Sequence, residues 1–295
     1  MIKKLIILFF AFSIISCGGS STDKGTSDPY RTGVFRDSPV QGLYYECGCK
    51  TGITDSEGQF EYEVGQECMF YIGNDRYGIL LGTGIPSSIM TPVDLDPNAS
   101  DETNSVVKNI TSLLLTLDAD ANANNGIVIS DAAREKASNP NCPCNLNFHQ
   151  TATAFQSDPN TALLLAYFGT DSGSSILVSS DTAESHLKNT LLECYAGVYT
   201  GVYSGDDEGS FTLTFDSEGT ITGTAASVNN PQYDGVMSGT VNSNGTCTIS
   251  ALVDIYLITF TGEIADYHVL SGTWSVSIYA QGIPLGGGTF EGRKN

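Results

Sequence analysis

The chain has 295 residues, 40% of them hydrophobic, with 13 basic and 33 acidic side chains and a formal net charge of -20. That balance argues against a nucleic-acid binder, whose affinity needs lysine and arginine against phosphate, and against a protein that lies flat on anionic lipid. The length is that of about two domains, and the apolar content is enough to bury real cores.

The chain opens "MIKKLIILFFAFSIISCGGSSTDKG". Lys3 and Lys4 form a basic start, and Leu5 to Ile15 is an uncharged apolar run. Crossing a bilayer takes about 20 apolar residues, so the run is too short and reads as a signal peptide over residues 1–16. Ile14, Ile15 and Ser16 before Cys17 resemble the lipobox of bacterial lipoproteins. The resemblance implies cleavage before Cys17 and acylation of its thiol and new amine. Each buried methylene contributes about 0.8 kcal/mol, so two or three acyl chains anchor stably. The membrane is then a partner through the lipid, and Gly18 after the cysteine points to the outer membrane of the cell envelope. Cleavage removes Lys3 and Lys4 and no acid, so the mature charge is 11 minus 33, or -22. Residues 17–30, small and polar, read as a flexible tether.

Residues 31–84 read as a β module. Leu43, Tyr45 and Cys47 alternate, as do Phe60, Tyr62 and Val64, then Cys68, Phe70 and Ile72. A period of two buries one face of each strand. "DSEG" at Asp55–Gly58 has turn chemistry. The stretch "SPVQGLYYEC…GITDSEGQFEYEVGQECMFYIG" resembles carboxypeptidase-regulatory-like (transthyretin-like) β-sandwich modules. That resemblance implies a structural or binding unit without catalytic residues.

Residues 85–193 change period. Val106, Val107, Ile110, Leu113, Leu114 and Leu117 mark one face of a helix. Ser130 precedes a short helix, "DAAREKA"; "DPNTALLLAYFG" carries Pro159 near its first turn; and Asp181 with Glu184 reads as the capping pair of "TAESHLKNTLL". Between the first two helices lies "TLDADANANNGIVISD". Asp118, Asp120, Asn122, Asn124 and Asp131 offer oxygens for calcium, the one cofactor the sequence suggests. The register of an EF-hand loop breaks, since position six is Ala123 and Gly126 comes three residues late. The alternative is a turn after a helix, with Asn and Gly supplying the geometry. The pattern "TPVDLDP…NSVVKNITSLLLTLDADANANNGIVIS" also resembles a group of bacterial surface lipoproteins.

Residues 194–295 read as β again. Tyr195, Tyr199 and Tyr203 share a face with Gly197, Gly201 and Gly205; "DSEG" recurs as a turn; Asn244-Gly245 signals another. Five or more short strands predict an antiparallel meander closed into a barrel, which resembles small lipocalin-like or avidin-like barrels. The whole chain is thus an α+β multidomain protein: a small β-sandwich-like module, a short helical middle and a C-terminal β-meander or barrel.

Eight cysteines are present, and setting Cys17 aside leaves an odd number. Disulfides persist outside the cytosol. Cys47 with Cys68, and Cys194 with Cys247, are the expected pairs. "CGC" and "CPC" raise a thiolate metal site from Cys47, Cys49, Cys142 and Cys144, against the two to four residues that usually separate zinc cysteines. No Gly-x-Ser-x-Gly, His-Glu-x-x-His or Walker motif occurs. His149, His186 and His268 remain, with His186 placed in a helix in a surface or capping role. A Ser/His/Asp site assembled from distant positions cannot be read from sequence. The expected function is a non-enzymatic envelope lipoprotein that binds or scaffolds another envelope protein or a surface glycan. The alternative is a carrier with a small apolar ligand inside the barrel, and barrel volume separates the two.

Overall fold

The computed structural model describes residues 28–295. The signal peptide, Cys17 and most of the tether lie outside the described residues. Among the described residues, no helix is long and apolar enough to cross a membrane.

The N-terminal strands are β1 (Tyr30–Phe35), β2 (Val40–Gln41), β3 (Leu43–Cys47), β4 (Lys50–Ile53), β5 (Gln59–Glu63), β6 (Cys68–Ile72), β7 (Ile79–Gly84) and β8 (Ile89–Met90). They make a three-stranded sheet in the order β5-β1-β8 and a four-stranded sheet in the order β4-β3-β6-β7. Alternation sends Phe35 and Phe60 from the first sheet and Tyr45 and Phe70 from the second into a shared core, with Phe60 edge-on to Phe70 at 5.1 Å. The "DSEG" turn therefore does not close a hairpin within one ladder. It carries the chain from the edge of one sheet to the edge of the other. Val64, expected inside, lies past the end of β5 and is exposed. Cys47 and Cys68 face each other across β3 and β6, 4.1 Å apart at Cα, and are bonded.

Five helices follow: α1 (Ser105–Leu117), α2 (Asp131–Ala137), α3 (Ala152–Ser157), α4 (Pro159–Phe168) and α5 (Ser180–Tyr195), with β9 (Ile127–Val128) pairing parallel to β2. Asn104, Ser130, Thr151, Asp158 and Ser179 cap their starts through side-chain oxygens. Each accepts from a first-turn amide that has no partner within the helix. Ser179 thus takes the role expected of the Asp181–Glu184 pair, and Glu184 instead forms an ion pair with Lys108 of α1. α1 is buried nearly all round rather than on one face. Ile110, Leu113 and Leu114 join the core of the two sheets, while Val107 joins the core of the barrel. Its buried Asn109 is satisfied by donating to the carbonyls of Phe148 and Gln150 at 2.9 Å each.

Strands β10 (Gly197–Gly205), β11 (Gly209–Phe215), β12 (Thr220–Ser227), β13 (Gly235–Val241), β14 (Thr246–Val253), β15 (Tyr256–Ala265), β16 (Val269–Ile278) and β17 (Ile283–Lys294) run antiparallel in sequence order. β17 pairs with β10, which closes an eight-stranded barrel. Tyr199 and Tyr203 point inward as expected. Tyr195 does not belong to a strand, because α5 continues through it.

Candidate functional site

The barrel has two unlike ends. At one end the hairpin turns after β11, β13 and β15 meet α5 and the N-terminal module. Tyr199 Oη donates to the carbonyls of Tyr195 and Tyr267, at 3.0 and 3.2 Å. Lys294 Nζ donates to the Cys194 carbonyl at 3.0 Å, a cation at the negative end of α5. The Tyr267 ring stacks on Tyr195 at 5.4 Å, and its hydroxyl lies 3.3 Å from Thr91 Oγ1 and 3.4 Å from Asp94 Oδ2. This end is a docked interface.

The other end is free. Its hairpins carry large apolar side chains that stand in solvent. Leu252 and Ile255 flank the β14–β15 turn; Tyr279, Ile283 and Leu285 flank the β16–β17 turn; Val228 and Val236 flank the neighbouring β12–β13 connection. The two principal tips are joined by a backbone hydrogen bond from Tyr279 N to the Ile255 carbonyl, 2.8 Å. Tyr279 is 61% exposed and Leu252 56%, values that burial in a strand core would never give. The loops around them contribute Asp206, Asp207, Glu208, Asp234 and Asp254 and no lysine or arginine. Large apolar side chains exposed together at one end of a domain mark an interaction site more often than an accident.

Between these tips the barrel mouth is closed. A cavity of about 10 Å³ is lined by Tyr203, Asp207, Ala225, Ile258, Phe260, Trp274 and Val276. Asp207 accepts from Ser227 Oγ at 2.7 Å and Asn230 Nδ2 at 3.0 Å, which ties the β10–β11 turn to the end of β12 and the connection that follows it. Below it, Trp274 packs edge-on to Tyr203 at 5.3 Å and donates from Nε1 to the Ser204 carbonyl. Phe211, Phe260 and Phe290 fill the middle, with ring centroids 5.1 to 6.1 Å apart. Inward glycines make room for these rings rather than for a ligand. A Cβ on Gly201 or Gly292 would lie 2.3 or 2.7 Å from Phe211 Cζ, and one on Gly262 would lie 2.7 Å from Phe290 Cζ. A depression of about 640 Å³ lies elsewhere, between α4 and the segment before α5. It is open and no ionisable side chain lines it, so it offers little to orient a ligand.

The residues singled out from sequence are dispersed. Asp118 is fully buried and both its oxygens are engaged: Oδ1 accepts from Val128 N at 2.9 Å and Oδ2 from Asn122 N at 2.8 Å. Asp120 accepts from Asn122 N and from Asn125 Nδ2. Asn124 lies in the short 3-10 turn of residues 123–125. Asp131 is not part of the loop; it starts α2 and pairs with Arg134. The stretch is a turn closed by its own amides: Asp118 and Asp120 both accept from Asn122 N, and Asp131 lies outside it. Among the described residues, no three His, Cys, Asp or Glu side chains are grouped to hold a metal.

The Cys194–Cys247 pairing is corrected. Both are buried free thiols. They were paired as members of one β domain, but Cys194 sits in the last turn of α5 and only Cys247 lies in a strand, on the inner face of β14. The "CPC" cysteines, Cys142 and Cys144, bond to each other. With Cys47 also bonded to Cys68, the four-thiolate metal site does not form.

One group was missed. Asp37 is fully buried, and Ser38 and Asp37 both approach His186. The Ser38 Oγ and Asp37 Oδ1 lie 3.4 and 3.5 Å from the same ring nitrogen, Nε2. A nucleophile–base–orienter relay needs hydroxyl and carboxylate on opposite ring nitrogens, so this is not a hydrolytic triad. No sequence signal paired residues this far apart.

No family model matches the chain, and no curated protein matches it. Among solved structures, the rhizavidin–biotin complex is similar over 32% of this chain and 99% of that one, at 12% identity and a TM-score of 0.25. The likeness assigns no ligand.

Proposed function

We propose that the chain is a non-enzymatic envelope lipoprotein, held to the outer membrane through Cys17, that uses the free end of its barrel to bind another envelope protein. The observation that carries this reading is the pairing of a filled lumen with an exposed apolar rim. A cavity of about 10 Å³ is at the lower limit for one water, which disfavours the carrier reading. The exposed side chains are mainly aliphatic, which suits a protein surface better than a glycan, whose rings stack on aromatics. Four exposed acidic residues, Asp206, Glu208, Asp234 and Asp254, frame them without a base. The fitting partner therefore presents an apolar patch rimmed by lysine or arginine, and charge of this kind speeds and orients docking.

Affinity capture from envelope extracts tests this. The intact chain should retain a partner that the double variant Tyr279→Ser, Leu285→Ser loses, since hot-spot truncations at interfaces cost 2 kcal/mol or more, about 30-fold. Retention should weaken as salt rises. Equal retention by both chains would contradict the reading.

A further inference from the structure

The fully buried Asp37 lies in the β1–β2 turn, where its neighbour Ser38 has φ of +55°. Neither carboxylate oxygen of Asp37 has a hydrogen-bond partner. Buried polar groups are nearly always paired, and each exception needs a cause. Three oxygens converge on His186 Nε2: the Asp37 carbonyl at 3.3 Å, Ser38 Oγ at 3.4 Å and Asp37 Oδ1 at 3.5 Å. These distances exceed the usual hydrogen-bond length of about 2.9 Å, and a single ring N–H could serve only one of the three oxygens. They match a different length. Zinc binds nitrogen and oxygen at about 2.0–2.1 Å in a tetrahedron, and the edge of such a tetrahedron, about 1.63 times the bond, is about 3.3–3.4 Å.

We infer that Asp37, Ser38 and His186 form a binding site for one divalent transition-metal ion. The His186 imidazole and the Asp37 carboxylate are its principal donors, and the Ser38 hydroxyl and Asp37 carbonyl complete it. Its donor set is one imidazole, one carboxylate, one hydroxyl and one backbone carbonyl. The surroundings favour the reading. Among the described residues, no lysine or arginine pairs with Asp37, so its oxygens are left for a cation. His186 and Ser38 are only half-buried, which gives an ion a way in. On binding, the Asp37 carboxyl loses its proton to solvent, its oxygen takes the metal bond, and no redox change is involved. The ion would tie the β1–β2 turn to α5, the helix that carries the barrel.

Zinc chloride titrated into the full chain after chelation, followed by calorimetry, tests this. One ion per chain is expected. Asp37→Asn and His186→Gln should each weaken binding at least about tenfold, the loss that even outer-shell partners of a metal cause. The variant Cys194→Ser, Cys247→Ser should bind as the parent does. Far-UV circular dichroism checks that each variant is folded; His186 is half-buried, so His186→Gln decides the matter if Asp37→Asn misfolds. No binding by the parent, binding unchanged in folded His186→Gln, or binding lost with the thiols would overturn the inference.

Discussion

Asp37 is the residue where burial and charge conflict most. Desolvation holds its carboxyl well above the usual aspartate range. The unfolded chain titrates near the ordinary value of about 3.9. Above that value the folded state keeps a proton that the unfolded chain has lost. The stability this gives is full below the unfolded pKa and is lost as pH rises through the folded one. The rate is about 1.4 kcal/mol per pH unit across that window. His186 has the opposite sign: its depressed pKa gives stability that is lost as pH falls. Melting curves of metal-free parent and Asp37→Asn across acid to neutral pH should therefore converge at low pH and separate, with the variant more stable, as pH rises; parallel curves would contradict this. The free thiols give a second expectation. Burial pushes Cys194 and Cys247 each to about 11, so little thiolate exists at pH 8 and access is poor. Iodoacetamide should leave both unmodified in the folded protein and label both after unfolding, as read by peptide mass mapping. At this scale the sequence was legible where residues lie in phase on two nearby strands, as with Cys47 and Cys68, which pair across β3 and β6. It was opaque where a contact joins a turn near residue 37 to a helix near residue 186.

Elements were read best where local chemistry decides. The word "DSEG" occurs twice and folds the same way twice. Asp55 Oδ1 accepts from the amides of Glu57 and Gln59, and Asp216 Oδ1 from those of Glu218 and Thr220, while Gly58 and Gly219 take φ of +73° and +85°. What the word does not encode is whether it joins two strands of one sheet, as after β11, or two sheets, as after β4. The Asp118 turn follows the same logic of a carboxylate closing its own loop. Asp118→Ala should lower stability by about 1–3 kcal/mol, because it strands two backbone donors that are now satisfied. Calcium at millimolar concentration should leave the parent's melting temperature where chelator leaves it. Within the barrel, the period of two gave the inward face correctly, but glycine content alone left open whether the lumen was empty. The rings decide it. Gly262→Val in β15 would press on the Ser271 carbonyl, 2.2 Å from an added Cβ, and on Phe290. It should destabilise by about 1–3 kcal/mol, measured by urea unfolding. No loss would mean that the core has slack.

In the whole molecule two cores meet along α1. The two small sheets and most of the helices share one core, and the barrel holds the other. The sequence divided the chain by period, which is a local property. It therefore did not show that the helices complete the core of the N-terminal sheets. Nor did it show which barrel end docks, since that depends on where Tyr195, Tyr267 and Lys294 converge. Docking at one end leaves the apolar tips of the other facing away from the N-terminal module. Placing a photoreactive amino acid at Tyr279 in living cells tests the proposed binding end most directly, with Tyr77, 79% exposed on the N-terminal module, as the control position. The account predicts a discrete protein adduct from position 279 and none from position 77. Equal adducts from both positions, or none from position 279, would contradict it.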